Sequence, residues 1–98
     1  MNWQMHKEKL ESGEEVQFRP KGNSMQGKID SGQLVTVSPD TSDLGKGDIV
    51  FCRVNGNWYI HLVQAVQGDR YKIGNNKGYT NGWVNENKIY GRVIRVED

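Results

Sequence analysis

Hydrophobic and polar positions alternate along most of the chain, with the period of two that is typical of half-buried strands. Val16 and Phe18 alternate with polar neighbours, and Leu34 and Thr36 alternate with Val35 and Val37. Further strands are predicted at residues 48–54, 58–66, 71–73 and 88–96. Asn-Gly at 55–56 is a strong hairpin signal between two of them. About six short strands separated by turns predict an all-β fold, a small barrel or sandwich of bent strands.

Only the beginning of the chain has a helical period. Trp3, His6 or Lys7, and Leu10 are spaced as on one helix face, and Gly13 is a stop signal. Two strong apolar residues cannot hold such a short helix unless it packs on something else. We therefore predict one domain over residues 1–98, with a short helical segment at 1–13 and a β core at 14–98. The polar, glycine-containing segment 74–82 is predicted to be a long loop.

The composition narrows the classes of function that the chain can have. A chain of 98 residues buries roughly 60 to 65% of its extended surface, which suggests one modest core. Lys and Arg number 13 and Asp and Glu 12, for a net charge of +1, and the two signs are interspersed. The lack of a basic stripe argues against a nucleic-acid partner. No cofactor or metal site is indicated, because Cys52 is the only cysteine and neither His6 nor His61 has an obvious companion.

The same composition gives expectations about location. Cys52 cannot form an intrachain disulfide, and we expect a small buried residue in an intracellular protein. The sequence has neither a signal-peptide-like start nor a run of 18 apolar residues. We therefore expect a soluble, cytoplasmic chain with no membrane anchor, located in the host cytoplasm if a phage encodes it.

Ser24, within the segment GNSM, has two interpretations. A serine after a glycine-led turn commonly bonds its own backbone. A serine hydroxyl is a nucleophile only beside a base that takes its proton, with donors nearby for the oxyanion. The local sequence favours the turn-residue interpretation. The nucleophile interpretation requires that a later strand supply the base.

Several motifs occur in a fixed order after this point. They are Gly22-x-Ser24-Met25, Val35-Thr36-Val37, Gly47-Asp48-Ile49-Val50, Tyr59-Ile60-His61-Leu62-Val63, Ile73-Gly74-Asn75-Asn76, and Trp83-Val84-Asn85-Glu86 followed by Ile89-Tyr90-Gly91-Arg92-Val93. In this order they resemble the superfamily that unites type I signal peptidases and LexA-like self-cleaving repressors. The resemblance covers roughly residues 16–96 and implies a bent-strand β domain with a serine peptidase site.

Residue by residue, the resemblance implies Ser24 as nucleophile and His61 as general base, where most members have lysine. To act as a base, histidine needs a smaller pKa shift than lysine, because its ordinary pKa of about 6.5 leaves it largely neutral at pH 7. Asn81 could orient the imidazole where Ser-His members use a carboxylate, and the Met25 backbone N–H could bind the oxyanion. An ordinary strand histidine at His61 and a loop-capping role for Asn81 remain alternatives.

Two further departures from the family pattern fall where the resemblance places the wall of the substrate groove. Gly27 replaces the family's usual proline, and Gln33 replaces its usual aspartate. Only 23 residues precede Ser24, too few for a DNA-binding domain, and no spanning helix is predicted. We therefore expect a pared-down catalytic core, of a kind that small phage or mobile-element genomes would encode.

Three functions remain open. We favour a serine endopeptidase core that uses a Ser24–His61 dyad on an extended peptide. The alternative is a catalytically inactive member of the fold that binds a protein partner or forms a homodimer. The missing carboxylate and the exposed-looking aromatics Trp3, Tyr79 and Trp83 motivate it. The weakest is a small nucleic-acid-binding barrel that would use Trp58 and Tyr59.

Overall fold

The computed structural model describes residues 2–98 as one antiparallel sheet with a short N-terminal helix. The elements are α1 (Trp3–Glu11), β1 (Val16–Phe18), β2 (Leu34–Ser38), β3 (Ile49–Val54), β4 (Asn57–Gln67), β5 (Arg70–Gly74), β6 (Thr80–Asn85), a single 3-10 turn (Glu86–Lys88) and β7 (Ile89–Glu97). The seven strands lie in the order β1-β2-β7-β3-β4-β5-β6. The predicted all-β fold with a short N-terminal helix is confirmed.

The sheet is strongly bent. The strand register shifts in four places, between residues 36 and 37, 51 and 52, 63 and 65, and 73 and 74. Such bulges bend a strand and increase its twist. The bending brings β6 against β3, although the two strands are not hydrogen-bonded neighbours. A Cβ atom added at Gly82 would lie only 3.2 Å from Cγ1 of Val54, so the end of the sheet curls back over its middle.

Because of this curl, β3 is buried on both faces. Phe51 belongs to a cluster that packs beneath α1, whereas Val50 and Cys52 belong to a second cluster inside the curl. The sequence suggested one core, and the structure has these two clusters because one bent sheet encloses apolar side chains on either side of its central strand. Cys52 is buried, as predicted.

Helix α1 packs on the first cluster. The Asn2 side chain caps it by accepting a hydrogen bond from the Met5 backbone N–H at 3.0 Å, and Leu10 is its buried residue. Trp3 is half-buried and packs against aromatic rings of the sheet, so the expectation that it is exposed was wrong. Tyr79 and Trp83 are exposed, as expected, at 66% and 38%.

The predicted loop at 74–82 is wrong at its C-terminal end, because β6 begins at Thr80. The Thr80 hydroxyl donates to the Gln64 side-chain oxygen at 2.8 Å, and the Gln64 amide donates to the Tyr79 carbonyl at 3.0 Å. These bonds fasten a polar strand end onto β4. Because the sequence Thr-Asn-Gly has no apolar alternation, its periodicity gave no strand signal, yet the strand places Asn81 in the sheet.

Candidate active site

Ser24 lies in a compact turn between β1 and β2. The Gln26 N–H donates to the Asn23 carbonyl at 3.1 Å, and the Ile29 N–H donates to the Met25 carbonyl at 2.7 Å. Met25 and Ile29 are both buried, at 4% exposure each, and Ser24 is exposed. The two apolar side chains therefore anchor the turn in the first cluster while the serine hydroxyl remains at the surface.

Two polar side chains hold this turn in place. Asp30 accepts a hydrogen bond from the Gly27 N–H at 2.9 Å, where the backbone has a φ of 96°. Asn76, in the loop between β5 and β6, donates from its side-chain amide to the Gln26 carbonyl at 2.9 Å. The second bond joins residues 50 positions apart and fixes the turn relative to the strands that carry the other site residues. Gly27, at the position where the resemblance described above gives proline, has a left-handed φ that proline cannot adopt.

His61 lies in the middle of β4 and is only 5% exposed. It pairs with Val50 in the register of β3 and β4. The Tyr59 ring, two residues earlier on the same strand, stacks on the imidazole with centroids 4.7 Å apart and planes inclined at 26°. Strand pairing fixes the backbone at His61, and the Tyr59 ring packs against one face of the imidazole.

The imidazole joins Ser24 to Asn81. Its Nε2 lies 3.1 Å from the Ser24 Oγ, and its Nδ1 lies 2.6 Å from the Asn81 Oδ1. An amide oxygen can only accept, so Nδ1 must carry the proton. In the neutral ring Nε2 then has the lone pair and accepts a hydrogen bond from the Ser24 hydroxyl. The structure therefore brings together three residues that are 37 and 20 positions apart in sequence.

The surroundings favour this neutral imidazole. Burial lowers the pKa of His61 below its ordinary value of 6.5, because a buried ring loses the solvation that stabilises its charged form. The hydrogen bond to Asn81 acts in the opposite direction and is the smaller effect. Neither of the two ring partners is a carboxylate. At neutral pH the ring is therefore uncharged and able to accept a proton.

The backbone beside Ser24 has two N–H groups that are not used in backbone hydrogen bonds among the described residues. Neither the Ser24 N–H nor the Met25 N–H donates to a backbone carbonyl of residues 2–98. Two adjacent N–H groups at such a turn are suited to an oxyanion in the way that helix and nest donors are. The role of Met25 in binding an oxyanion stays a prediction.

A cleft of about 160 Å³ opens beside Ser24 and His61. Its apolar lining comes from Trp3, Met25, Ile29, Trp58 and Ile60, and Lys21 and Asp30 are among its polar lining residues. Lys21 and Asp30 are both exposed. A few polar groups at the mouth of an apolar cleft, here the hydrogen-bonded Ser24 and His61, are the usual arrangement of a small binding site.

Sequence reasoning missed three residues of this site. Tyr59 could have been found from strand periodicity, because residues i and i+2 share a face. The role of Asn76 in fixing the turn has no local signal, since its partner lies 50 residues away. Trp3 belongs to a helix whose docking position the sequence did not indicate.

Within residues 2–98, no three or more His, Cys, Asp or Glu side chains are placed to bind a metal ion together. No helix in the same range has both the length and the apolar character needed to cross a bilayer.

The bent antiparallel sheet, with Ser24 in a turn and His61 opposite it on β4, defines a β domain of the LexA-like and S24 peptidase superfamily. Residues 3–94 match the model of the Peptidase S24-like family. The chain belongs to this family, and the resemblance seen in the sequence is confirmed. None of the curated proteins searched matches the chain.

Proposed function

We propose that this protein is a serine endopeptidase in which Ser24 is the nucleophile, His61 the general base and Asn81 the residue that orients the imidazole. The observation that carries the proposal is the chain of hydrogen bonds from Asn81 through both nitrogens of His61 to the Ser24 hydroxyl. Nucleophile, base and orienting group within hydrogen-bond reach are the arrangement that activates a serine.

In the proposed reaction the Ser24 Oγ attacks a peptide carbonyl while its proton passes to the His61 Nε2. The N–H groups of Ser24 and Met25 bind the oxyanion of the tetrahedral intermediate. His61 then donates the proton to the leaving amine nitrogen, and the C–N bond breaks to leave an acyl group on Ser24. A water molecule attacks this ester as His61 accepts its proton. His61 then returns this proton to the Ser24 Oγ as the ester C–O bond breaks, and the peptide acid departs with Ser24 and neutral His61 restored.

Asn81 supplies orientation without a full charge. Its amide oxygen fixes the Nδ1–H tautomer, and so keeps the Nε2 lone pair facing Ser24. It stabilises the imidazolium less than a carboxylate would, because the ion–dipole attraction is weaker than that between two opposite charges. The proposed enzyme is therefore a slower catalyst than a carboxylate-assisted one, acting on an extended peptide that enters the cleft. We place this activity in the cytoplasm, since the only cysteine is a buried free thiol.

The second candidate is an inactive member of the family that binds a protein or a second copy of itself. It is favoured by the neutral orienting residue and by the exposed rings of Tyr79 and Trp83. The two candidates differ in the reactivity of Ser24, because a binding module has no need of an activated hydroxyl.

The test is acylation or phosphonylation of the serine. A fluorophosphonate and a β-lactam are incubated with the protein, and the modified residue is located by peptide mass spectrometry. We expect one modification, at Ser24, that is lost in Ser24→Ala. His61→Ala should slow it by about 10²- to 10⁴-fold, the usual contribution of a general base.

Ser31→Ala is the matched control, because Ser31 is an exposed serine of the same connecting segment and should leave labelling unchanged. Labelling that persists in Ser24→Ala, or that is indifferent to His61→Ala, would contradict the proposal. A wild-type protein that resists both reagents, and that forms dimers in analytical ultracentrifugation, would favour the second candidate.

A further inference from the structure

Two grooves around β5 and β6 are lined by basic residues. The larger, of about 590 Å³, is lined by residues of the β3–β4 hairpin and the end of β6. The smaller, of about 380 Å³, is lined by residues of β4, β5 and the loop between β5 and β6. Among residues 2–98, no Asp or Glu lines either groove. The cations that line them, which we call the basic band, are Lys28, Lys46, Arg53, Arg70, Lys72 and Lys88.

The two grooves are joined through β5 and β6. Lys72 lines the smaller groove and is paired in register with Trp83, which lines the larger one. Directly paired residues of antiparallel strands project from the same face of the sheet. Arg70, two residues before Lys72, lies on that face as well, and its guanidinium carbon is 5.7 Å from the centroid of the Trp83 ring. The basic band is therefore one continuous surface that includes an indole.

The basic band has no ion-pair partner among residues 2–98. The ion pairs in this part of the chain are Lys7–Glu11, Arg92–Asp48 and Arg95–Glu97. Six of the 13 Lys and Arg residues thus lie on a surface without acidic lining, although the net charge of the chain is only +1. A local excess of one sign attracts ligands of the other. The two signs are interspersed along the sequence, and the fold separates them.

Exposed aromatic rings accompany these cations. Trp83 is 38% exposed, and Tyr79, whose neighbours on both sides line the smaller groove, is 66% exposed. Such rings stack on the faces of unpaired bases, while Lys and Arg contact the phosphates. An acidic peptide would use the cations and leave both rings without a partner. The uncharged amide side chains of the larger groove, a type that hydrogen-bonds base edges, are Asn55, Asn85 and Asn87.

We propose that the basic band binds single-stranded nucleic acid, with phosphates on its cations and a base stacked on Trp83. A single strand fits better than a duplex, because stacking on a side chain needs an accessible base face, which a duplex encloses. The band also follows grooves in the sheet, whereas duplex readers insert a projecting helix or ribbon. None of Ser24, His61 and Asn81 lines either groove, so the proposal goes beyond the peptidase function and does not depend on it.

The test measures, by fluorescence anisotropy, the binding of a labelled oligothymidylate of about 12 nucleotides, within the usual site size of a small strand-binding fold. We expect a Kd of about 10⁻⁶ to 10⁻⁴ M at physiological salt. Each phosphate contact adds about −0.7 to the slope of log Kobs against log salt concentration, so six cations set a limit of about −4. Between about 50 and 200 mM NaCl the slope should lie at about −2 to −4.

Single substitutions separate the charges from the ring. Lys72→Gln should weaken binding and reduce the slope by about 0.7. Lys9→Gln is the matched control, because Lys9 is exposed and lines neither groove, and it should keep both values. Trp83→Ala should raise the Kd by about 5- to 150-fold, the contribution of one stacked base, and Trp83→Phe should restore part of this loss. An abasic oligonucleotide should bind wild type more weakly and should not distinguish it from Trp83→Ala.

Circular dichroism establishes that each variant is folded. If one is not, the wild-type NMR spectrum still decides, since the oligonucleotide should shift the Trp83 indole N–H and the backbone amides of the basic band. Absence of binding at low salt, shifts confined to other surfaces, or equal weakening by Lys9→Gln and Lys72→Gln overturns the site.

Three further outcomes concern the ligand and the ring. A glutamate peptide of equal charge, or a duplex of equal length, that binds as tightly overturns single-stranded nucleic acid as the ligand. An abasic oligonucleotide that binds as tightly as the natural one overturns the role of Trp83. The labelling of Ser24 is measured separately, so each of these failures leaves the peptidase proposal unaffected.

Discussion

Replacing Asn81 by aspartate changes the charge beside the catalytic imidazole while keeping the shape of the side chain. In the wild-type protein the amide oxygen lies 2.6 Å from the His61 Nδ1. A carboxylate there should raise the pKa of His61, because it attracts the protonated ring. Two opposite unit charges about 4 Å apart attract by about 4 kcal/mol at an effective dielectric constant of 20, which corresponds to about 3 pKa units.

The observed change should be smaller than this Coulomb value. The new carboxylate has to be desolvated, and the hydrogen bond of the wild-type amide, which already raises the pKa of His61, is replaced rather than supplemented. We therefore expect a rise of about 1 to 2 units, within the usual effect of a neighbouring charge. NMR titration of the imidazole resonances measures this rise without any need for a substrate.

The matched control is Asn85→Asp, the same chemical change on the same strand, at an exposed position paired with Arg70. It should leave the pKa of His61 nearly unchanged. An unchanged pKa in Asn81→Asp, or an equal rise in Asn85→Asp, would refute the contact between Asn81 and His61. If the contact is present, Asn81→Asp should also increase the rate of Ser24 labelling above pH 8, where the more basic imidazole is still largely neutral.

The remaining predictions concern stability and burial. Gly91→Ala should lower the free energy of unfolding, measured by urea denaturation, by about 1 to 3 kcal/mol. The added Cβ would lie 2.5 Å from a Val37 methyl group and 2.7 Å from a backbone carbonyl oxygen. A variant as stable as the wild type would contradict the packing of β7 on β2. Burial raises the pKa of the Cys52 thiol to about 12, so iodoacetamide at pH 8 should modify it only after unfolding, and rapid modification of the native protein would disprove its burial. The pKa values of His6 and His61 are lowered mainly by burial, so the unfolded chain binds more protons just below pH 6.5. The melting temperature should fall as the pH decreases from 7 through this range, by less in His6→Gln, and a melting temperature that rises there would have the wrong sign.

The strands and the hairpin could be predicted from sequence because their signals are local. Asn55 and Gly56 have φ values of 50° and 83°, which is the backbone of the tight turn that the dipeptide indicates. The alternation at Val16 and Phe18 was sufficient to locate β1. Local signals did not predict that the end of the sheet curls back onto β3. The approach of Gly82 to β3 depends on β-bulges, and the hydrophobic periodicity does not indicate where these bulges lie.

The candidate site also has one part that the sequence could predict and one that it could not. Ser24, His61 and Asn81 were selected from a resemblance, and their proximity is a property of the folded chain alone, since they lie on a turn and two strands. Asn81 is predicted to lie in a loop because its neighbours are polar, whereas antiparallel pairing with β5 makes this segment a strand. The position of Trp3 depends on where a short helix docks, which two apolar residues cannot specify.

The pH dependence of Ser24 labelling tests the central claim most directly. If His61 accepts the serine proton, the labelling rate should rise with pH to a plateau, and its midpoint should equal the pKa of His61 measured by NMR in the same protein, below 6.5. A rate that increases with hydroxide concentration without an inflection at that pKa, or a profile that is the same in His61→Ala, would contradict the account.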